Sequence, residues 1–145
     1  MKLVFSIGRA RLDLITPCLS LSVKATSGRG SCLNNSSLTC QMKAFEGPLP
    51  VGNYYIDPKE ISDPNIVGDL LRKVSGDWGD WRVRLHPLAG SKRHGRDNFF
   101  LHGGSLPGSA GCIDIGGGLI GSPITDKILS YISSSQVKIP VEVTE

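Results

Sequence analysis

Apolar and polar residues alternate with a period of two along much of this chain, the pattern of strands with one dry face. Leu3-Val4-Phe5-Ser6-Ile7 and Arg11-Leu12-Asp13-Leu14-Ile15 flank Gly8-Arg9-Ala10 and predict a hairpin. Leu19, Leu21 and Val23 alternate with Ser20, Ser22 and Lys24 and predict a third strand with one wet face. Thr26 to Asn35 is rich in Gly, Ser and Asn and reads as a long loop, either a connection or an overhang above a site. Gln41 to Glu46 reads as a short strand, Gly47 to Gly52 as a proline- and glycine-rich turn, and Tyr54-Tyr55-Ile56 as a strand again. Trp81, Val83 and Leu85 alternate with Arg82, Arg84 and His86, a strand with a basic outer face. Phe99, Phe100 and Leu101 suit a buried strand. At the end of the chain Val137, Ile139, Val141 and Val143 alternate with polar residues, and Pro140 argues for an edge strand.

Two segments change to a helical period. Asp63 caps a helix with Pro64 at its first position, and Ile66, Leu70 and Val74 share one face. Ser122-Pro123 opens a second helix, with Ile124, Ile128 and Ile132 on its buried side. Gly116-Gly117-Gly118 between them reads as a flexible joint. About nine strands and two short helices in 145 residues predict one mainly β domain, a β-sandwich or partly closed barrel, spanning 1–145.

Composition narrows the partners. A net charge of +3 permits contact with anionic polymers such as cell-wall glycan strands. The densest basic run, Ser91-Lys92-Arg93-His94-Gly95-Arg96, suits an exposed loop, and no nucleic-acid partner is expected. No apolar run has the length of a membrane span. Arg9, Arg11 and Asp13 interrupt the apolar start, so Met1 to Ile7 is expected to be a structural strand; if the substrate is the cell wall, an export route that needs no cleaved leader is implied. Of four cysteines, Cys32 and Cys40 flank a short polar loop and either bridge in an oxidising compartment or stay thiols. No Cys/His grouping has zinc-finger spacing, and no metal or cofactor is expected.

The stretch Asn98 to Asp114 carries the candidate chemistry. His102 stands at the exit of the Phe99-Phe100-Leu101 strand, and Cys112 at the entry of the next, ten residues on. The loop between them is small and glycine-rich, so it can fold thiol and imidazole together, the usual way to hold a thiolate at neutral pH. Cys112 is the candidate nucleophile and His102 the base. Gly111 is expected to help offer backbone N–H groups to an oxyanion, and the Gly103 carbonyl to orient His102, with Ser105 a weaker candidate. Ser109 either shapes the pocket or forms the turn. Arg96 and Arg84 are candidates for a substrate carboxylate. His86 and His94 are rival bases in less suitable settings, and Trp78 is either a sugar platform or core.

His102-Gly103 followed by Ser109-Ala110-Gly111-Cys112-Ile113 resembles the signature of L,D-transpeptidase (YkuD-type) catalytic domains, His-Gly ahead of Ser-His-Gly-Cys. Ala110 replaces the second His of that signature, and the His-to-Cys spacing is shorter. Both departures are similar to the type VI secretion L,D-transpeptidase effectors, which also carry an upstream G-P-[IL]-P-x-G-x-Y segment. Here that segment reads Gly47-Pro48-Leu49-Pro50-Val51-Gly52-Asn53-Tyr54, and with Arg96 the resemblance covers roughly residues 25 to 115. It implies a YkuD-type β-sandwich and a cysteine enzyme acting on peptidoglycan tetrapeptide stems. The implied reaction is release of the terminal D-alanine (L,D-carboxypeptidase) or its exchange for another D-amino acid (L,D-transpeptidase). It further implies an antibacterial toxin passed by the type VI secretion apparatus into a rival's periplasm, with a cognate immunity protein. Two alternatives stand beside it: another cysteine peptidoglycan amidase of the papain-like type, disfavoured because there Cys precedes His, and an inactive module that binds cell wall or a partner.

Overall fold

The computed structural model describes residues 1–62, 81–104, 110–117 and 122–145. Among these residues nine strands form two open sheets. The larger has the order β3-β2-β1-β9-β4-β6, with β1 Lys2–Ser6, β2 Arg11–Ile15, β3 Ser20–Lys24, β4 Gly52–Ile56, β6 His86–Pro87 and β9 Ile139–Thr144. The smaller has the order β5-β7-β8, with β5 Arg82–Arg84, β7 Phe100–Gly104 and β8 Ile113–Gly117. The architecture is mainly β, as the alternation predicts.

The hairpin forms around Gly8-Arg9-Ala10, with Phe5 opposite Leu12 and Leu3 opposite Leu14. All four are fully buried. The inward faces of both sheets meet in one apolar core: Phe5, Tyr54 and Val141 from the larger, Val83, Leu101 and Ile113 from the smaller. The helix α2, Pro123–Ser134, adds Ile128 and Ile132, while Ile124 packs at the rim. Ser122 and Thr125 form a reciprocal capping box at its start, an arrangement worth about 1 kcal/mol.

Four sequence expectations are corrected. Pro140 is not on an edge, because β9 runs between β1 and β4. It is tolerated because the ladder with β1 begins only at Val141. Gln41 to Glu46 is not a strand: Leu38–Gln41 is a short helix, α1, whose cap Ser37 accepts a hydrogen bond from the Cys40 amide, and a turn follows. The alternating run 81–86 is not one strand. It leaves the smaller sheet after Arg84 and enters the larger at His86. Gly116 and Gly117 belong to β8 and are not a joint. The expected helix after Asp63, together with Trp78, lies outside the described residues. Cys32 and Cys40 form a disulfide, and Cys18 keeps an exposed thiol.

Candidate active site

Strand parity sorts the smaller sheet into two faces. Val83, Leu101, Ile113 and Ile115 point into the core. Their neighbours in register point the other way: Arg82 lies opposite His102 across the β5–β7 ladder, and His102 lies beside Asp114 across the parallel β7–β8 ladder. That second ladder slips between His102 and Gly104. A bulge of this kind re-aims backbone groups, and here the Gly103 carbonyl meets the ring of the preceding residue: it accepts from His102 Nδ1 at 3.0 Å. A carbonyl only accepts, so Nδ1 carries the proton and Nε2 is left for the sulfur. His102 is hydrogen-bonded to the Cys112 side chain.

The imidazole is raised above its ordinary pKa of 6.5. Burial alone pulls it down, but the hydrogen bond to Cys112, the one to the Gly103 carbonyl and the negative charge of Asp114 together outweigh burial. The shift favours the imidazolium form more than in an isolated imidazole, and imidazolium is the form that stabilises a neighbouring thiolate. Cys112 itself is 9% exposed.

The loop that delivers Cys112 is held from behind. Gly111 has φ 73°, a left-handed conformation that suits glycine. Its N–H donates to the Gly47 carbonyl at 2.9 Å. That bond removes the Gly111 amide from the expected oxyanion set. The same Gly47 carbonyl accepts from Arg96 Nη2 at 2.9 Å, while Arg96 Nη1 donates to the Gln41 and Pro48 carbonyls at 2.7 and 2.8 Å. Arg96 is 7% exposed, so it holds the Gln41–Pro48 segment rather than presenting its charge to solvent. Burial lowers its pKa, opposed by Tyr54 and Cys112. Gly47 has no room for a side chain: a Cβ there would lie 2.1 Å from the Cys40 carbonyl oxygen. The Cys32–Cys40 disulfide closes the segment that ends at this wall. The loop that begins at Thr26 joins the site directly, because Thr26 and Asp114 exchange backbone hydrogen bonds of 2.8 Å.

Asp114 is a residue that sequence reasoning passed over. It is 3% exposed, its Oδ1 accepts from the Gly116 amide at 2.7 Å, and its Oδ2 is buried with no hydrogen-bond partner among the described residues. The available signal was its place: an acid two residues after Cys112, between Ile113 and Ile115. Arg84 is exposed, donates to Asn98 Oδ1 at 2.8 Å and lies over the Phe100 ring. Ser105 and Ser109 lie outside the described residues. The rival imidazoles are engaged elsewhere: His86 stacks on Tyr55 and pairs with Glu60 at 2.6 Å, and His94 occupies a loop at φ 54°. Among the described residues no three His, Cys, Asp or Glu side chains gather as a metal site, and no helix is long and apolar enough to cross a membrane.

Residues 22–117, well over half of the chain, match the Tlde1 domain. The chain belongs to the Tlde1 domain family. This is the L,D-transpeptidase-like type VI effector family that its motifs resemble. The matched span includes His102, Cys112, the Gly47–Tyr54 segment and Arg96. Among solved structures, the Tlde1-family chain is similar to an L,D-transpeptidase from Mycobacterium smegmatis, with 17% identity and a TM-score of 0.49. That alignment covers 99% of this chain and 58% of the other. It is also similar to L,D-transpeptidase 1 from Mycobacterium tuberculosis, at 19% identity, a TM-score of 0.46, and coverage of 99% and 60%. The chain therefore spans about three-fifths of the length of these structures. No curated protein matches it significantly.

Proposed function

We propose that this Tlde1-family chain is a cysteine-dependent enzyme of peptidoglycan tetrapeptide stems, an L,D-carboxypeptidase, an L,D-transpeptidase that exchanges the terminal D-alanine, or both. The observation that carries the reading is the Cys112–His102–Gly103 relay: sulfur to imidazole, imidazole to carbonyl. The Cys112 thiolate attacks the carbonyl before the terminal D-alanine, and a carbon–sulfur bond forms as the carbonyl oxygen gains charge. The carbon–nitrogen bond then breaks, and the His102 imidazolium gives its proton to the departing amine. Water opens the thioester to a shortened stem, with His102 taking its proton. Alternatively the amine of another D-amino acid attacks and restores a full-length stem. Either product removes the normal donor for cross-linking.

That outcome suits an antibacterial toxin. Family membership supports delivery by type VI secretion into a target cell's periplasm, protection of the producer by an immunity protein, and peptidoglycan as the target. The oxidised Cys32–Cys40 pair is consistent with work in an oxidising compartment.

The test uses purified tetrapeptide muropeptides. Cys112→Ala and His102→Ala are each expected to abolish D-alanine release, a loss of about 10³-fold or more, while melting cooperatively. Iodoacetamide should alkylate Cys112 quickly near pH 7 and slowly in His102→Ala. Undiminished release by either variant would overturn the reading.

A further inference from the structure

On the flank of β7 away from β8 lies a groove of about 400 Å³ lined by Glu60, Arg82, Arg84 and Phe100 among others, and Arg82 is the register partner of His102. Arg82 and Arg84 are exposed and alternate along β5 with Val83, so they share the face that carries His102. Both guanidinium groups lie over one ring: Arg82 is 5.2 Å and Arg84 5.5 Å from the centre of Phe100. The ring's negative face attracts each guanidinium and limits its rotamers. It also gathers two like charges that repel in the absence of an anion. Within the described residues no carboxylate pairs with them. Among the described residues the one acid in the groove, Glu60, is taken by His86 at 2.6 Å, and Arg84 reaches only the neutral Asn98.

Two guanidinium groups gathered at one ring, with no carboxylate partner among the described residues, match a carboxylate, which they take through parallel hydrogen bonds. Position decides which carboxylate. β5 and β8 flank β7, so the cationic pair lies two strand spacings, about 10 Å, from the strand that Cys112 leads into. The carboxylate of the departing D-alanine is three bonds from the scissile carbonyl carbon, about 4 Å. A carboxylate on the retained part of the stem fits the longer span.

Resting on the reaction proposed above, we propose that Arg82 and Arg84 on the Phe100 platform form a subsite for a carboxylate carried by the retained part of the stem peptide. It acts in binding and leaves the proton transfers at His102 and Cys112 untouched.

The experiment measures calorimetric binding to the full chain carrying Cys112→Ala, which holds substrate without turnover. Three ligands are compared: the free tetrapeptide stem, the stem with its retained carboxylates amidated, and the stem with only the terminal D-alanine carboxylate amidated. Arg82→Gln and Arg84→Gln should each weaken the first and third about tenfold, the scale of one charge-assisted hydrogen bond. They should leave the second unchanged. Equal weakening of all three, no weakening, or a dependence confined to the D-alanine carboxylate would overturn the subsite. Should either variant fail to fold, salt titration of the arginine-intact protein gives the same answer. Affinity for the free stem should fall with salt much more steeply than for the stem with retained carboxylates amidated, and equal slopes would overturn the subsite. A chain that turns over stems with arginine-indifferent binding refutes the subsite alone. A chain that binds stems through Arg82 and Arg84 yet never releases D-alanine refutes the reaction alone.

Discussion

The two sheets divide the molecule's work. In the six-stranded sheet, inward side chains are apolar and outward ones mostly polar, from Leu3 and Phe5 through Ile139, Val141 and Val143. In the three-stranded sheet one face is likewise apolar, but the opposite, polar face is itself partly buried. That face carries His102, Asp114, Arg82 and Arg84, and the wall behind it buries Arg96. The two buried polar atoms without partners among the described residues, Arg96 Nε and Asp114 Oδ2, both belong to this side. Uncompensated polar burial costs stability. Its concentration around one thiol indicates that the larger sheet supplies cohesion, while the smaller holds groups in arrangements useful for chemistry.

A methyl group at Gly47 gives the sharpest test of this division. It would strike the Cys40 and Lys43 carbonyl oxygens and Arg96 Nη1, displacing the carbonyl that holds both Arg96 and Gly111. Gly47→Ala is expected to cut the rate of D-alanine release at least about 100-fold, since small displacements of a reacting group carry losses of that order. Val141→Ala in the larger sheet should do the reverse. It should lower unfolding free energy by about 2 kcal/mol and leave the rate per folded molecule unchanged. Similar activity losses in both variants would dissolve the distinction.

The disulfide has the next largest effect. Opening Cys32–Cys40, with a sequence separation of only 8, should cost about 2–3 kcal/mol. Its activity effect should exceed that of Val141→Ala, because the bridge steadies the helix whose Gln41 carbonyl receives Arg96. A loss of about tenfold is expected on mild reduction, or in Cys32→Ser with Cys40→Ser, while the Cys112 thiol is intact. Full activity of the double variant would show that Arg96 and Gly47 hold the wall unaided.

The same division explains what the sequence made legible. Period-two alternation marked the strands of the larger sheet because each has one dry face, as Leu12 and Leu14 against Arg11 and Asp13 show. It failed at Pro140, where the neighbour arrives one residue later, and at Leu85, where the chain changes sheets without changing parity. Cys112 and His102 stood out by residue type and by Gly103 and Gly111 beside them, and the structure brings the two side chains together. Long-range backbone contacts have no such mark. Nothing local to Arg96 announces that its partners are carbonyls at positions 41, 47 and 48, nor does Gly111 announce that Gly47 takes its amide. Asp114 was obscured because an acid in an apolar run reads as the wet side of a strand until both faces are seen to be covered.

Asp114 also gives the mildest test, through pH. Its charge is one of the influences that raise His102 above 6.5. Asp114→Asn removes the charge but keeps the shape, so the imidazole pKa should fall towards its ordinary value. The alkaline limb of D-alanine release, where His102 loses the proton it gives to the departing amine, should move to lower pH. The maximal rate should drop only severalfold, since Gly103 still orients the ring. Stability carries the same sign. A pKa raised on folding contributes stabilisation that is complete below about 6.5, the unfolded value, and is lost as pH rises through the folded one. The melting-temperature advantage of the parent over His102→Gln should therefore be greatest in mildly acidic buffer and shrink above neutrality, by a few degrees at most. In the Asp114→Asn background that pH dependence should flatten. An alkaline limb that stays in place in Asp114→Asn would mean that the buried carboxylate serves the Gly116 turn alone and not the imidazole beside it.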